Sequence, residues 1–133
     1  MDRCRLLVVD KYVNLGLLYK QELNDEGYEV DITHSGIKAL ELIKNKSYNI
    51  LILDSEMPKI DELVRLSRIL KTKKDLSVIL NTGFSDRTNH SMSWVADAYI
   101  LKSSDLSELK GTIKKLVEKN CGRFQEKEMY IYR

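Results

Sequence analysis

The 133 residues are expected to form one domain, since a chain of this length buries well over half of the surface it exposes when unfolded. At 43% hydrophobic and 32% charged, with one proline and six glycines, the composition excludes a disordered or low-complexity chain. Twenty-two basic against 20 acidic residues leave +2, too even a balance to imply nucleic acid, and no apolar run approaches the roughly 18 residues of a membrane span.

Taken in chain order, "LLVV" at residues 6–9 is a short continuous apolar run, as expected of a parallel strand covered on both faces. Leu15, Leu18, Tyr19 and Leu23 follow on one helical face, and Gly27 stands where a helix is commonly stopped by positive φ. Tyr28, Val30 and Ile32 then alternate with Glu29, Asp31 and Thr33, which predicts a strand with one wet face, hence an edge. Ser35 reads as the cap of a second helix with Ala39, Leu40 and Ile43 facing inward. Residues 50–53 and 78–80 are two more buried strands, with a helix carrying Leu63, Leu66 and Leu70 between them. A fourth helix is expected within residues 85–94, a stretch poor in helix formers, before a weaker strand at 98–101. Asp105 with Glu108 resembles a capping box, opening a fifth helix whose buried stripe is Leu106, Leu109, Ile113, Leu116 and Val117. The domain is thus placed at residues 1–120 and a C-terminal tail at 121–133.

Five strand and helix units in alternation imply an α/β fold, an open parallel sheet with helices on both faces. Ligands of such sheets bind beyond the carboxyl ends of the strands. Asp10, Asp54, Thr82 and Lys102 therefore become neighbours, and two carboxylates, a hydroxyl and an ammonium on one rim suit a phosphoryl group. Each alone would read as a helix cap, a turn residue or a solvated lysine. Four such residues on one rim outweigh that reading.

"LLVVD", "GYEVDITHSGIKALELI", "NILILDSEMPKID", "VILNTG" and "ADAYILKSSDLSELK", in this order and spacing, resemble the receiver domain of bacterial response regulators over nearly all of residues 4–119. The resemblance implies a flavodoxin-like, doubly wound five-stranded sheet in the order 2-1-3-4-5 with five helices. It implies a signalling domain of a two-component system, not an enzyme, with Asp54 taking a phosphoryl group from a sensor histidine kinase or phosphotransfer protein. Thr82 and Lys102 would bind the phosphoryl oxygens, and Tyr99 would change its exposure as a switch. Mg²⁺ would be held by Asp10, Asp54 and the backbone carbonyl of Glu56. Output would go through protein contact, to a downstream target or a homodimer, on the face of the fourth helix, fifth strand and fifth helix.

The pattern is broken at Lys11, which stands where the family carries a second acid. The family's three acids and one lysine leave two negative charges, whereas Asp10 and Asp54 against Lys11 and Lys102 leave none. An ammonium about 4 Å from a divalent ion would be repelled by about 8 kcal/mol at an effective dielectric of about 20. It also offers no oxygen ligand. Mg²⁺ is therefore expected to bind weakly or not at all, unless Glu56 turns inward or Lys11 swings into water. Glu62 and Val95 replace usual glycines, and Ser103 replaces the proline usual after the lysine, so a trans bond is expected there.

An alternative reading is a degenerate receiver, independent of phosphorylation, in which Lys11 pairs with Asp54 or Asp10 and the domain is a protein-binding module. A flavin carrier on the same strand order would need small residues after the first strand, and Lys11, Tyr12 and Val13 supply none. Direct nucleic-acid binding is not expected, since the lysines at 110, 114, 115 and 119 read as a solvated helix face. Cys4 and Cys121 form no metal pair or disulfide framework, His34 and His90 read as surface residues, and Trp94 and Phe84 as packing or contact aromatics. With no signal peptide and no membrane span, the cytoplasm is the expected compartment.

Overall fold

The computed structural model describes residues 4–57, 59–83 and 95–120. Five parallel strands, β1 (Arg5–Val9), β2 (Glu29–Thr33), β3 (Ile50–Asp54), β4 (Ser77–Thr82) and β5 (Ala98–Leu101), form one sheet in the order β2-β1-β3-β4-β5. The fold class and strand order match expectation, with β2 at an edge. Helices α1 (Val13–Asp25), α2 (Gly36–Asn45), α3 (Ile60–Thr72) and α4 (Ser107–Asn120) cover it. Five helices were expected; four are found among the described residues. The stretch expected to hold the other, 85–94, lies outside them, as do Phe84, His90, Trp94 and the tail at 121–133.

Side-chain alternation along each strand divides the core by parity. Leu7, Val9, Leu51, Leu53, Val78 and Leu80 point to α2 and α3, meeting Ala39, Leu40, Ile43, Leu63 and Leu66. Leu6, Val8, Ile50, Ile52, Ile79 and Ile100 point the other way, to Tyr19 and Leu23 of α1 and to Leu109 and Ile113 of α4. Burial on both faces explains why these strands read as continuous apolar runs.

The helix ends follow from local chemistry. Ser35 Oγ accepts from the Lys38 N–H at 3.2 Å, capping α2, and Gly27, at φ 98°, turns the chain beyond α1 into the left-handed region that glycine tolerates best. At α4 the cap differs from the expected box: Asp105 Oδ1 accepts from the backbone N–H of Ser107 at 3.0 Å and from its hydroxyl at 2.6 Å. Leu18 corrects another expectation. It is 41% exposed, because Gly16, Tyr19 and Leu23 define the buried stripe of α1 and Leu18 lies about 100° away from Tyr19 around the helix.

At the β2 edge, the Tyr48 hydroxyl donates to Asp31 Oδ2 at 2.6 Å, and Lys46 Nζ stands 3.4 Å from the same oxygen. The Tyr48 hydroxyl, against the effect of burial and with help from Lys46, holds the Asp31 carboxyl below its ordinary 3.8. A lowered carboxyl contributes stability above pH 3.8 and loses it as pH falls through the folded-state value. Tyr48→Phe is accordingly expected to cost about 1 kcal/mol at neutral pH and to raise the Asp31 pKa, with the stability difference narrowing in acid. Urea midpoints at neutral and acid pH, with an NMR titration of Asp31, check this.

Candidate functional site

The parallel register brings the strand ends together. β1 hands on to Asp10, β3 ends at Asp54, opposite Asn81 of β4, and Thr82 pairs with Leu101, the last residue of β5. The Lys102 N–H continues the ladder by donating to the Thr82 carbonyl at 2.6 Å.

Asp10 and Asp54 are 2% and 1% exposed, and the Lys102 ammonium lies between them, 3.0 Å from Asp10 Oδ2 and 3.3 Å from Asp54 Oδ2. The remaining carboxylate oxygens face backbone donors. Asp10 Oδ1 accepts from the Tyr12 N–H at 2.9 Å, and Asp54 Oδ1 from the Glu56 N–H at 3.0 Å. Burial alone would lower the Lys102 pKa, but Asp10 and Asp54 together more than offset it and hold the ammonium above its ordinary 10.5.

Asp10, Asp54 and Lys102 thus converge as the sequence implied, with Thr82 at the adjoining strand end, its carbonyl bonded to the Lys102 N–H. Glu56 does not turn inward: its Oε1 stands 3.6 Å from the Lys11 ammonium at the rim. Lys11 pairs with neither Asp10 nor Asp54. Tyr99 lies apart from the carboxylates, half-buried against the α2 and α3 side of the core, and its hydroxyl is buried without a hydrogen-bond partner among the described residues.

Three participants escaped the sequence reading. The Tyr12 ring lies 5.2 Å from the Lys11 ammonium and 5.3 Å from that of Lys102, so both cations meet one aromatic group. Its place directly after Lys11 was the available signal. His34 Nδ1 lies 3.2 Å from the Asp10 carbonyl, although the residue is exposed. Beneath the acids, Asn81 Nδ2 donates to the Tyr19 hydroxyl at 2.7 Å, tying β4 to α1.

A model of the response regulator receiver domain matches residues 6–114. The chain belongs to this family. It is 29% identical over 117 residues to the response regulator ArlR of Staphylococcus saprophyticus, covering 86% of this chain and 53% of ArlR, so the chain spans about half the length of that relative. The response regulator TrrA of Thermotoga maritima, solved in complex with Mg²⁺ and BeF, is 45% identical, with a TM-score of 0.75 over 85% of this chain and 98% of TrrA. TrrA has also been solved with the histidine kinase ThkA, where it is 43% identical to this chain at a TM-score of 0.74, over 86% of this chain and 98% of that one. No described helix of this receiver domain is long and apolar enough to cross a membrane.

Removing the ammonium from between the two acids leaves buried charge uncompensated, so Lys102→Met is expected to cost about 3 to 5 kcal/mol at neutral pH. A raised lysine contributes fully below its ordinary 10.5 and loses its contribution as pH rises through the higher folded value. The stability difference from wild type should therefore hold through neutral pH and close only in strong alkali, as read by denaturant midpoints along a pH series.

Proposed function

We propose that this receiver domain takes a phosphoryl group on Asp54 from the phosphohistidine of a sensor kinase or phosphotransfer protein, and passes the change on by protein contact. The observation that carries this reading is the arrangement around Asp54. A buried carboxylate is held at one oxygen by the Glu56 N–H, and the Lys102 ammonium waits beside the other. Fixed donors and a cation placed where charge develops are what transfer to a carboxylate requires. Asp54 attacks phosphorus in line, the bond from phosphorus to the donor nitrogen breaks, and the imidazole leaves with that electron pair. The domain is modified once and turns over no substrate, so it is not an enzyme in its own right. The complex of TrrA with a histidine kinase supports the choice of donor.

The degenerate reading requires Lys11 to occupy Asp54 or Asp10. Those oxygens are instead beside Lys102, and Lys11 is held by Glu56. This arrangement favours an acceptor that remains available.

The residues do not fit a tightly held Mg²⁺. Both buried acids already share the Lys102 ammonium, a second ammonium occupies the place of the third acid, and Glu56 is turned toward that ammonium. Binding is accordingly weak or absent, and Lys11→Asp should tighten Mg²⁺ affinity by about a hundredfold or more, measured by calorimetry on the two proteins.

For output, Tyr99 is the switch. Its buried hydroxyl, without a hydrogen-bond partner among the described residues, costs about 1 to 3 kcal/mol that turning outward would recover. β5 and α4 supply the described part of the face that would meet a target or a second copy, and neither nucleic acid nor membrane is a direct partner. Exposure to phosphoramidate should add one phosphoryl group to the wild-type mass and none to Asp54→Asn. An unmodified wild type at every donor and metal concentration would refute the proposal.

A further inference from the structure

The reading of Asp54 as acceptor raises a problem of charge that the rim itself answers. A phosphoryl group brings negative oxygens toward a pocket already holding Asp10 and Asp54, with one buried ammonium between them. Transfer needs a further cation on the solvent side, where the donor enters. Lys11 supplies one. Its side chain is 41% exposed, and its ammonium is tethered to the side chain of Glu56, the residue whose backbone N–H holds Asp54 Oδ1. The Tyr12 ring lies against this ammonium and that of Lys102 alike, so the two cations flank one aromatic group, Lys102 within the pocket and Lys11 at its mouth.

The tether is weak enough to exchange. At 3.6 Å and partly exposed, the Lys11 to Glu56 pair belongs to a class worth about 0 to 1 kcal/mol. A phosphoryl group with two negative charges competes well against a single carboxylate for the same ammonium.

We propose that Lys11 is a catalytic residue of this receiver domain, its ammonium binding the phosphoryl oxygens during transfer to Asp54, so that phosphorylation proceeds without a divalent ion. Glu56 is a positioning residue that holds Lys11 at the mouth and releases it to the incoming group. With phosphoramidate as donor, the step forms the bond from an Asp54 carboxylate oxygen to phosphorus and breaks the bond from phosphorus to nitrogen. Ammonia leaves with the electron pair, the product is the acyl phosphate, and no further reactant is needed. The inference rests on Asp54 being the acceptor, and its test separates the two claims.

Wild type, Lys11→Gln, Lys11→Arg and Lys11→Asp are each treated with phosphoramidate, once in EDTA and once in excess Mg²⁺, and the rate of phosphoryl addition is followed by intact mass. Wild type should be modified in EDTA at a rate within about twofold of that in Mg²⁺, and Lys11→Gln should be slower in EDTA by about a hundredfold, the effect of removing one preorganised charge-stabilising group. Lys11→Arg should keep the metal-independent reaction, and Lys11→Asp should react only with Mg²⁺ present. A denaturant midpoint for Lys11→Gln equal to wild type would show that a slower rate is not a folding defect, as expected for a half-exposed side chain. Modification of wild type only when Mg²⁺ is added, or Lys11→Gln as fast as wild type in EDTA, overturns the role of Lys11 while leaving Asp54 as acceptor. No modification of wild type in either condition overturns both.

Discussion

Burying two carboxylates at the rim of a parallel sheet costs several kcal/mol for each ion unless a cation and well-aimed donors replace the lost water. In this receiver domain the cation is Lys102, between Asp10 and Asp54, and the donors are the backbone N–H groups of Tyr12 and Glu56. The contact joins residues at the ends of β1, β3 and β5, which are far apart in sequence, so the site and the fold share one electrostatic lock. The lysine is held above its ordinary pKa because the two acids outweigh the cost of its burial. Three charged groups that would each destabilise a core alone are tolerated there as a set.

Below this rim the polar chemistry continues only briefly. Asn81 and Tyr19 form a buried bond on the α1 side, close enough for Lys102, Asp10 and Asp54 to act on the phenol, whose pKa burial raises against the pull of the Asn81 bond. Deeper still, β1 and β3 are apolar on both faces, with odd positions toward α2 and α3 and even ones toward α1 and α4. A stiff sheet of that kind presents its strand ends in fixed positions, which preorganisation of a charged site requires.

The strands were legible because burial on two faces writes itself as short apolar runs, and the edge place of β2 because alternation marks it, although Thr33 of the expected wet face is buried. Strand order is not written in periodicity; it came from the resemblance, whereas the meeting of Asp10, Asp54, Thr82 and Lys102 on one rim followed from the parallel sheet alone. What stayed illegible was side-chain direction at the surface. Leu18 was expected in the buried stripe of α1 but lies on its exposed flank, since the stripe runs through Gly16, Tyr19 and Leu23. Only the alternative, degenerate reading paired Lys11 with Asp54 or Asp10; its length lets it reach Glu56, a choice that depends on where a loop after β3 runs. His34 and Tyr12 joined the site through a backbone carbonyl and a ring face, partners that no motif specifies.

The departures from the family pattern are each absorbed close to where they occur. Glu62 is buried and folds back to accept from the Lys59 N–H at 3.1 Å, in space that Gly36 leaves open: a Cβ there would lie 2.9 Å from Glu62 Cδ. Val95 joins the core on the α2 and α3 side. Ser103 Oγ accepts from the Asp105 N–H at 3.1 Å in the turn before α4, and no described peptide bond is cis. None of the three displaces Asp54 or Lys102 from the rim. Lys11 differs in kind, because the space is kept and the sign of the charge is reversed. A change of two charge units at the mouth of a pocket, with geometry intact, alters which counter-charge the pocket accepts before it alters anything about its shape. The substitution is therefore an electrostatic one, and its consequences belong to the cation that meets the phosphoryl group.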